Sequence, residues 1–175
     1  DQRQRTLQAL GVATLAPAGS TWMRGLEAAN RELRRRTNGA LAIRFYPGGV
    51  QGDESEAIRK MRQGRLDGAV VTGVGLGQIH RPTLAFMLPG MFSSSAEMTH
   101  ARQALASEVE SQFMAQNFVL LSWGETGTPR MFSQRAIRTP ADLQQVHPWI
   151  WRDDAAPTAL YTEAHANGVP LALPE

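Results

Sequence analysis

The chain has 175 residues, no cysteine, 42 % hydrophobic and 19 % charged residues, and a formal net charge of +2. This is the composition of a globular protein with one core, or one core and part of a second, and it excludes disulfides, thiol catalysis and cysteine–zinc sites. Lys60 is the only lysine among the bases, and so small a net charge gives weak support for nucleic-acid binding. No apolar run reaches the roughly 20 residues that a membrane crossing needs.

The first 39 residues predict a strand followed by a helix. After a polar lead-in, the apolar run at 11–16 predicts a short strand, and the turn that follows it brings Ser20 or Thr21 into position as a helix N-cap. Apolar residues at helical spacing continue from there to Thr37, Asn38 and Gly39, which end the helix. This helix N-terminus offers free N–H groups to an anion.

The stretch from 40 to 77 predicts a strand–helix–strand crossover, the unit of a parallel sheet. Leu41–Tyr46 alternates as a strand does, Asp53 with Glu56 forms a capping box, and Gly64 ends the helix that follows. A second strand is expected at 66–71, before a group of glycines. Ligands of parallel sheets bind beyond the carboxyl ends of the strands, which places a candidate site at 46–54 and 72–75.

The rest of the chain continues the alternation of strands and helices, which indicates an α/β fold. The predicted elements are a strand at 83–88, a helix from Ser94 to about Asn117, strands at 118–123 and 130–134, a short helix capped by Thr139, a strand at 148–151, a helix at 155–166 and a strand at 169–172. Nothing follows the last strand to cover the new sheet, so we expect the chain to be a fragment.

The sequence contains no recognisable motif for catalysis, metal binding or cofactor binding. The cluster of Gly73, Gly75 and Gly77 lacks the G-x-G-x-x-G spacing of a dinucleotide loop, because the position required is Gln78. The four histidines are scattered without metal-site spacing, and no serine stands in a G-x-S-x-G motif. The arginine run at 34–36 is best explained as a solvated helix end. We therefore predict no catalytic residues, no metal and no cofactor.

Six stretches together, in order and spacing, resemble the periplasmic solute-binding subunits of TRAP transporters, the DctP-like family. They are ATLAPAGSTW (13–22), RTNGALAIRFYPGGVQGDE (36–54), GRLDGAVVTG (64–73), LPGMF (88–92), IRTPADL (137–143) and NGVPLALPE (167–175). The resemblance implies a periplasmic-binding-protein-like fold of two α/β lobes around a cleft, with the first lobe at 1–124 and an incomplete second lobe at 125–175. Family members are substantially longer than this chain.

The resemblance also implies a set of ligand-binding residues. They are Asp53 or Glu54, Val71, Thr72, Gly73, Glu125, Thr126, Arg130 and Phe132, together with Trp149, Trp151 and Arg152 on the second-lobe strand. Ser20 is added because the N–H groups near it could orient an acidic head. In typical members an arginine on the strand after the IRTPADL-like helix pairs with the ligand carboxylate, but here that position is Trp149. Arg152 lies three residues further along the strand, on the opposite face. This Trp-X-Trp strand resembles a subgroup suited to less polar ligands.

Residue chemistry alone allows a second role for several of these side chains. Asp53 and Glu54 are also accounted for as a helix cap and a first-turn charge. Arg130 fits either a cleft anion or a surface strand. Trp149 and Trp151 fit either an aromatic wall for an apolar or amphipathic ligand or core packing between lobes.

The resemblance implies a function in solute uptake, without catalysis. Two lobes would close on a small organic ligand, and the closed form would dock on TRAP membrane permease subunits, with a helical-repeat periplasmic protein as a further partner. The location implied is the periplasm, with a signal peptide removed or absent from a chain that opens at Asp1. The alternatives are a small α/β hydrolase or transferase, marked by a nucleophile bonded to a base, and an interaction module that self-associates through the incomplete second lobe.

Overall fold

The structure, a computed structural model, describes residues 8–127 and 130–172. Within them the strands are β1 (Gln8–Thr14), β2 (Leu41–Tyr46), β3 (Gly68–Val70), β4 (Trp149–Trp151) and β5 (Val169–Leu171). The α-helices are α1 (Thr21–Arg36), α2 (Glu54–Arg62), α3 (Gly73–Ile79), α4 (Ser95–Ala115) and α5 (Ala155–Glu163). Two 3-10 helices span Arg81–Met87 and Pro140–Gln145. The predicted α/β alternation is confirmed, and the chain forms two compact units that divide between Val71 and Thr72.

The first unit contains a three-stranded parallel sheet in the order β2-β1-β3. Val12 of β1 pairs with Phe45 on one side and with Gly68 on the other. The crossover predicted for residues 40–77 therefore forms, with β1 lying between its two strands. Because the three strands are parallel, their carboxyl ends meet at one edge of the sheet, and α1 and α2 begin beyond that edge.

Local sequence explains where the helices of the first unit begin and end. Ser20 Oγ accepts a hydrogen bond from Met23 N at 3.2 Å and Asp53 caps α2, so both predicted N-caps are confirmed. Gly64, at φ +68°, follows the end of α2 as expected for a C-terminal glycine. Between α2 and the sheet lies a small core of Ala13, Ala57 and Leu66.

Asn30 of α1 protects the open edge of the sheet at β2. Its Nδ2 donates to Ile43 O at 2.8 Å, and its Oδ1 accepts from Ile43 N at 2.8 Å. An edge strand presents unpaired backbone groups that invite pairing with another chain. The side-chain amide of Asn30 thus satisfies one backbone N–H and one backbone carbonyl of β2. Fewer groups at this edge are left to pair with a strand of another chain.

The second unit opens with two short helices where the sequence predicted other structure. The glycine cluster forms α3, capped by Thr72, whose Oγ1 accepts from Val74 N at 3.2 Å. The strand predicted at 83–88 is wrong, because Arg81–Met87 is a 3-10 helix. Pro82 fixes φ at its start and Thr83 Oγ1 donates to His80 O at 2.7 Å, which favours a turn over an extended chain.

Two more predicted strands do not form among the described residues. Residues 118–123 and 130–134 carry no strand assignment, and Leu121 is 89 % exposed where a buried strand was expected. The apolar and aromatic residues at 118–123 fit a strand, but a strand exists only with a ladder partner, and neither stretch has one among the described residues. Thr128 and Pro129, in the predicted turn, lie outside the described residues, as do the lead-in at 1–7 and residues 173–175.

The end of the second unit follows the prediction closely. The capped helix predicted from Ser94 is α4, and Thr139 precedes a 3-10 helix in place of the short helix expected there. β4 and β5 form a two-stranded parallel sheet in which Trp149 pairs with Val169, and α5 connects them. A core of Leu143, Ile150 and Tyr161 packs between these elements.

Candidate functional site

A small cavity lies at the carboxyl edge of the parallel sheet in the first unit. Its volume is about 10 Å³, which is room for about one water molecule. The lining comes from the ends of β1 and β3, the turn at 47–52 and the start of α2. It consists of Ala13, Thr14, Leu15, Gly49, Gln51, Gly52, Asp53, Glu54, Ala57, Ala69, Val70 and Val71. The cavity therefore suits one functional group of a ligand.

The charged groups in this lining are both carboxylates. Asp53 Oδ1 accepts from Glu54 N at 2.8 Å and so serves as the cap of α2. Glu54 is only 2 % exposed, and a buried carboxylate is stabilised at this position by the N–H groups and dipole of the helix N-terminus. The lining contains no arginine, lysine or histidine. Such a cavity favours a hydroxyl or ammonium group over a second carboxylate.

The turn at 47–52 shapes one wall of the cavity. Its backbone is fixed to the sheet edge, since Gly48 N donates to Ala16 O at 2.9 Å and Gly49 N donates to Thr14 O at 3.2 Å. Gly52, at φ +95°, adopts a left-handed conformation immediately before the cap of α2. The sequence pattern predicts a candidate site at 46–54, but it singles out neither Thr14 nor Gln51. The rule that ligands bind beyond parallel strands could have found both.

The structure places three of the predicted ligand residues, Ser20, Asp53 and Glu54, in the first unit, where Ser20 and Asp53 act as helix caps. The other nine belong to the second unit. Thr72 caps α3 and Gly73 is its first residue. A Cβ on Gly73 would overlap Met87 Sδ, so close packing explains this glycine without a ligand.

Glu125 is engaged by α4, a contact that the sequence did not reveal. Thr99 Oγ1 donates to Glu125 Oε1 at 3.2 Å, and Arg102 Nη2 lies 3.4 Å from the same oxygen. The Arg102 guanidinium also lies 5.7 Å from the ring centre of Trp123, within cation–π range. Trp123 meets Phe86 edge to face. Thr99 and Arg102 are three residues apart on one helix face, a spacing compatible with this shared contact.

The remaining predicted residues differ in how far they are exposed. Trp149 is 50 % exposed, so half of its surface remains accessible to solvent. Trp151 is 7 % exposed and packs inside the second unit. Phe132 is 92 % exposed. Thr126, Arg130 and Arg152 are also exposed. A ligand role for these side chains stays a prediction, and the aromatic residues among them that offer exposed surface to a ligand are Trp149 and Phe132.

Two further kinds of feature are absent from the part of the chain that the structure describes. No group of three or more His, Asp or Glu residues is placed to hold a metal ion there. Among the described helices, none is both long and apolar enough for a membrane span.

Comparison with known proteins gives consistent matches. The family model described as DctP, bacterial extracellular solute-binding protein, family 7, matches residues 12–153. A solute-binding protein from Chromohalobacter salexigens is 25 % identical over 154 residues, which cover 87 % of this chain and 46 % of that protein. The chain thus spans about half the length of this relative.

Solved structures share the fold. A TRAP periplasmic solute binding protein from Sulfitobacter sp. NAS-14.1, with bound β-D-galacturonate, has a TM-score of 0.85 at 21 % identity, over 94 % of this chain and 55 % of that one. A second from Ralstonia eutropha H16, with bound (S)-2-acetolactate, has a TM-score of 0.79 at 24 % identity, over 94 % and 53 %. The predicted fold class is confirmed: an α/β, periplasmic-binding-protein-like fold, of which the chain covers about half.

Proposed function

The chain belongs to the DctP family of bacterial extracellular solute-binding proteins, and on this premise we propose that it is part of a receptor for a small organic solute. The receptor works in the periplasm and delivers its ligand to TRAP-type membrane permease subunits. Ligand binding shifts an equilibrium between an open and a closed form of two lobes. The observation that carries the proposal is the cavity at the carboxyl edge of the sheet, lined by the buried Glu54.

The ligand class follows from the two kinds of surface that the chain offers. Glu54 supports recognition of a hydroxyl or ammonium group, because a carboxylate accepts hydrogen bonds and repels a second anion. The exposed half of Trp149 supports contact with an apolar part of the ligand. We propose an amphipathic solute with a hydrogen-bond donor at one end. Trp149 cannot form an ion pair with a carboxylate, so this position supports an apolar contact.

Thermal unfolding with a panel of ligands tests this class. The panel contains hydroxylated acids such as D-galacturonate and D-glucuronate, and amphipathic compounds of similar size with an apolar body. It is applied to the chain and to a version extended to the length of its relatives. A compound that binds only the folded state raises the midpoint by mass action, by several degrees for a tight one. A rise with the amphipathic compounds supports the proposal, and a rise with the hydroxylated acids alone contradicts it.

The Glu54→Gln variant tests whether the cavity is part of the binding site. Glutamine keeps the size and hydrogen-bonding capacity of the side chain but removes the charge. We expect a loss of about tenfold in affinity for the best panel compound, since a hydrogen bond to a charged group contributes roughly 1.5–3 kcal/mol. Asp67→Asn is the control, because Asp67 is a carboxylate of the same unit outside the cavity lining, bonded to Gly11 N at 2.7 Å. Equal effects of both variants would contradict the assignment.

A second candidate function is association through the second unit, on its own or with a helical-repeat periplasmic partner. Val119 and Leu121 are largely exposed in a segment of strand-like composition without a described strand partner, and such segments attract other chains. Gel filtration with light scattering distinguishes this candidate from the first. A concentration-dependent dimer that disappears in a Val119→Lys, Leu121→Lys double variant would support it, and a monomer at all concentrations would exclude self-association.

A further inference from the structure

Lys60, the only lysine of the chain, binds the turn that forms the cavity wall. Its Nζ donates to the backbone oxygen of Gln51 at 2.8 Å and to Gln51 Oε1 at 3.1 Å. Glu56 Oε1 lies 3.8 Å from the same nitrogen, one helical turn earlier in α2. The Lys60 side chain is only 17 % exposed. A compact ammonium with three donors can meet this set of converging oxygens.

The two hydrogen bonds from Lys60 connect the turn to the helix that it precedes. Gln51 lines the cavity together with Gly52 and Asp53, whereas Lys60 lies outside the lining. The turn contains left-handed glycines, Gly49 at φ +74° and Gly52 at φ +95°, which lose much conformational freedom when they are ordered. A segment of this kind needs external contacts to hold one conformation.

We propose that Lys60 is a positioning residue that holds the turn at 47–52, and through Gln51 the wall of the cavity, in one conformation. Lys60 acts through Gln51 and does not itself contact the ligand. That the ordered turn serves ligand binding depends on the function proposed above. The ordering of the turn by Lys60 does not depend on that function and is tested without any ligand.

The experiment compares backbone order in the turn between variants. Amide 15N order parameters and hydrogen exchange are measured at Gly48, Gly49 and Gly52 in the unliganded full chain and in Lys60→Met. At Gly52 we expect an order parameter of about 0.85 in the parent chain and below about 0.6 in the variant, whereas Gly48 and Gly49 change less because their N–H groups are bonded to Ala16 O and Thr14 O. Exchange at Gly52, whose N–H donates to Gly49 O at 2.8 Å, becomes about tenfold faster, because charge-assisted hydrogen bonds are lost.

A neighbouring basic residue supplies a matched control. Arg59→Met removes the same charge from the same helix, but Arg59 pairs with Glu56 at 2.6 Å on the exposed surface and does not reach the turn. We expect this variant to leave order at Gly49 and Gly52 unchanged. A loss of order in both variants, or in neither, overturns the proposed role of Lys60.

The Gln51→Ala variant and the double variant separate local ordering from general loss of stability. If Lys60 acts through Gln51, the double variant increases exchange at Gly52 by less than the product of the two single effects. Independent, multiplicative effects would contradict the proposed route. Loss of order confined to the turn in Lys60→Met, at a temperature well below the thermal midpoint of that variant, supports the positioning role.

Discussion

Arg102 Nη2 lies 3.4 Å from Glu125 Oε1 and links α4 to the segment after residue 118 by an ion pair between residues 23 positions apart. The arginine side chain is 14 % exposed and the glutamate 37 %. Arg102 Nε and Trp123 Nε1 are buried without a hydrogen-bond partner among the described residues. The guanidinium is thus held by Thr99, Glu125 and the face of Trp123, and its loss would release a segment that no strand ladder holds.

The Arg102→Met variant is expected to lower the free energy of unfolding of the second unit by about 1–2 kcal/mol. Methionine keeps part of the packing, but the hydrogen bonds to Thr99 and Glu125 and the cation–π contact with Trp123 are lost. Urea unfolding followed by Trp fluorescence measures the change. Arg35→Met, which removes an exposed pair with Glu32, should leave the midpoint nearly unchanged, because solvent screens such pairs. Equal losses in the two variants would show that burial of Arg102 contributes nothing.

Two glycines should respond in opposite directions to the same substitution. Gly73→Ala places a methyl group against Met87 Sδ, and overpacking of this kind costs about 1–3 kcal/mol. Gly25→Ala lies within α1 with no atom near the added Cβ, and should stabilise the protein by roughly 0.5–1 kcal/mol, since alanine favours helix over glycine. Thermal midpoints of the two variants check this. A neutral Gly73→Ala would mean that α3 and the following 3-10 helix pack more loosely than described.

Asp142 should make stability depend on pH in the acid range. Hydrogen bonds from Arg138 N, Thr139 N and the Thr139 hydroxyl hold the pKa of the Asp142 carboxyl below its usual value. A carboxyl whose pKa is lower in the folded state contributes stability above its unfolded pKa, about 3.9, and loses it as pH falls through the folded pKa. The parent chain should therefore exceed Asp142→Asn in thermal midpoint at pH 6, and the difference should shrink below about pH 4. A difference independent of pH would contradict this account.

Substitutions of the two tryptophans of β4 should distinguish a contribution to ligand binding from a contribution to core packing. Trp151 is buried, so Trp151→Ala is expected to cost about 3–5 kcal/mol of stability. Trp149 is half exposed, so Trp149→Ala should cost clearly less while abolishing most of the midpoint rise given by amphipathic panel compounds. Leu160→Ala, which removes another half-exposed apolar side chain on α5, is the control and should leave that rise intact. Binding that survives Trp149→Ala would end the aromatic-wall hypothesis.

Much of the first unit could be predicted, because its signals are local. Leu41–Tyr46 forms the predicted strand and Ser20 and Asp53 are the predicted caps, since alternation and capping depend on neighbours in sequence. The strand order was not predictable from the crossover at 40–77. β1 lies between β2 and β3 because it pairs with both, and pairing partners are chosen by contacts across the fold.

The features of the candidate site likewise fall into those that the sequence identified and those that only the structure revealed. The sequence by itself determined the family resemblance, the Asp53 cap, the acidic pair at 53–54 and the tryptophans at 149 and 151. Only the tertiary structure decided that Glu54 is buried, that Trp151 is packed while Trp149 is half exposed, and that Lys60 reaches Gln51. Burial and long-range contacts depend on which surfaces the folded chain brings together, and residue type and spacing along the chain do not specify them.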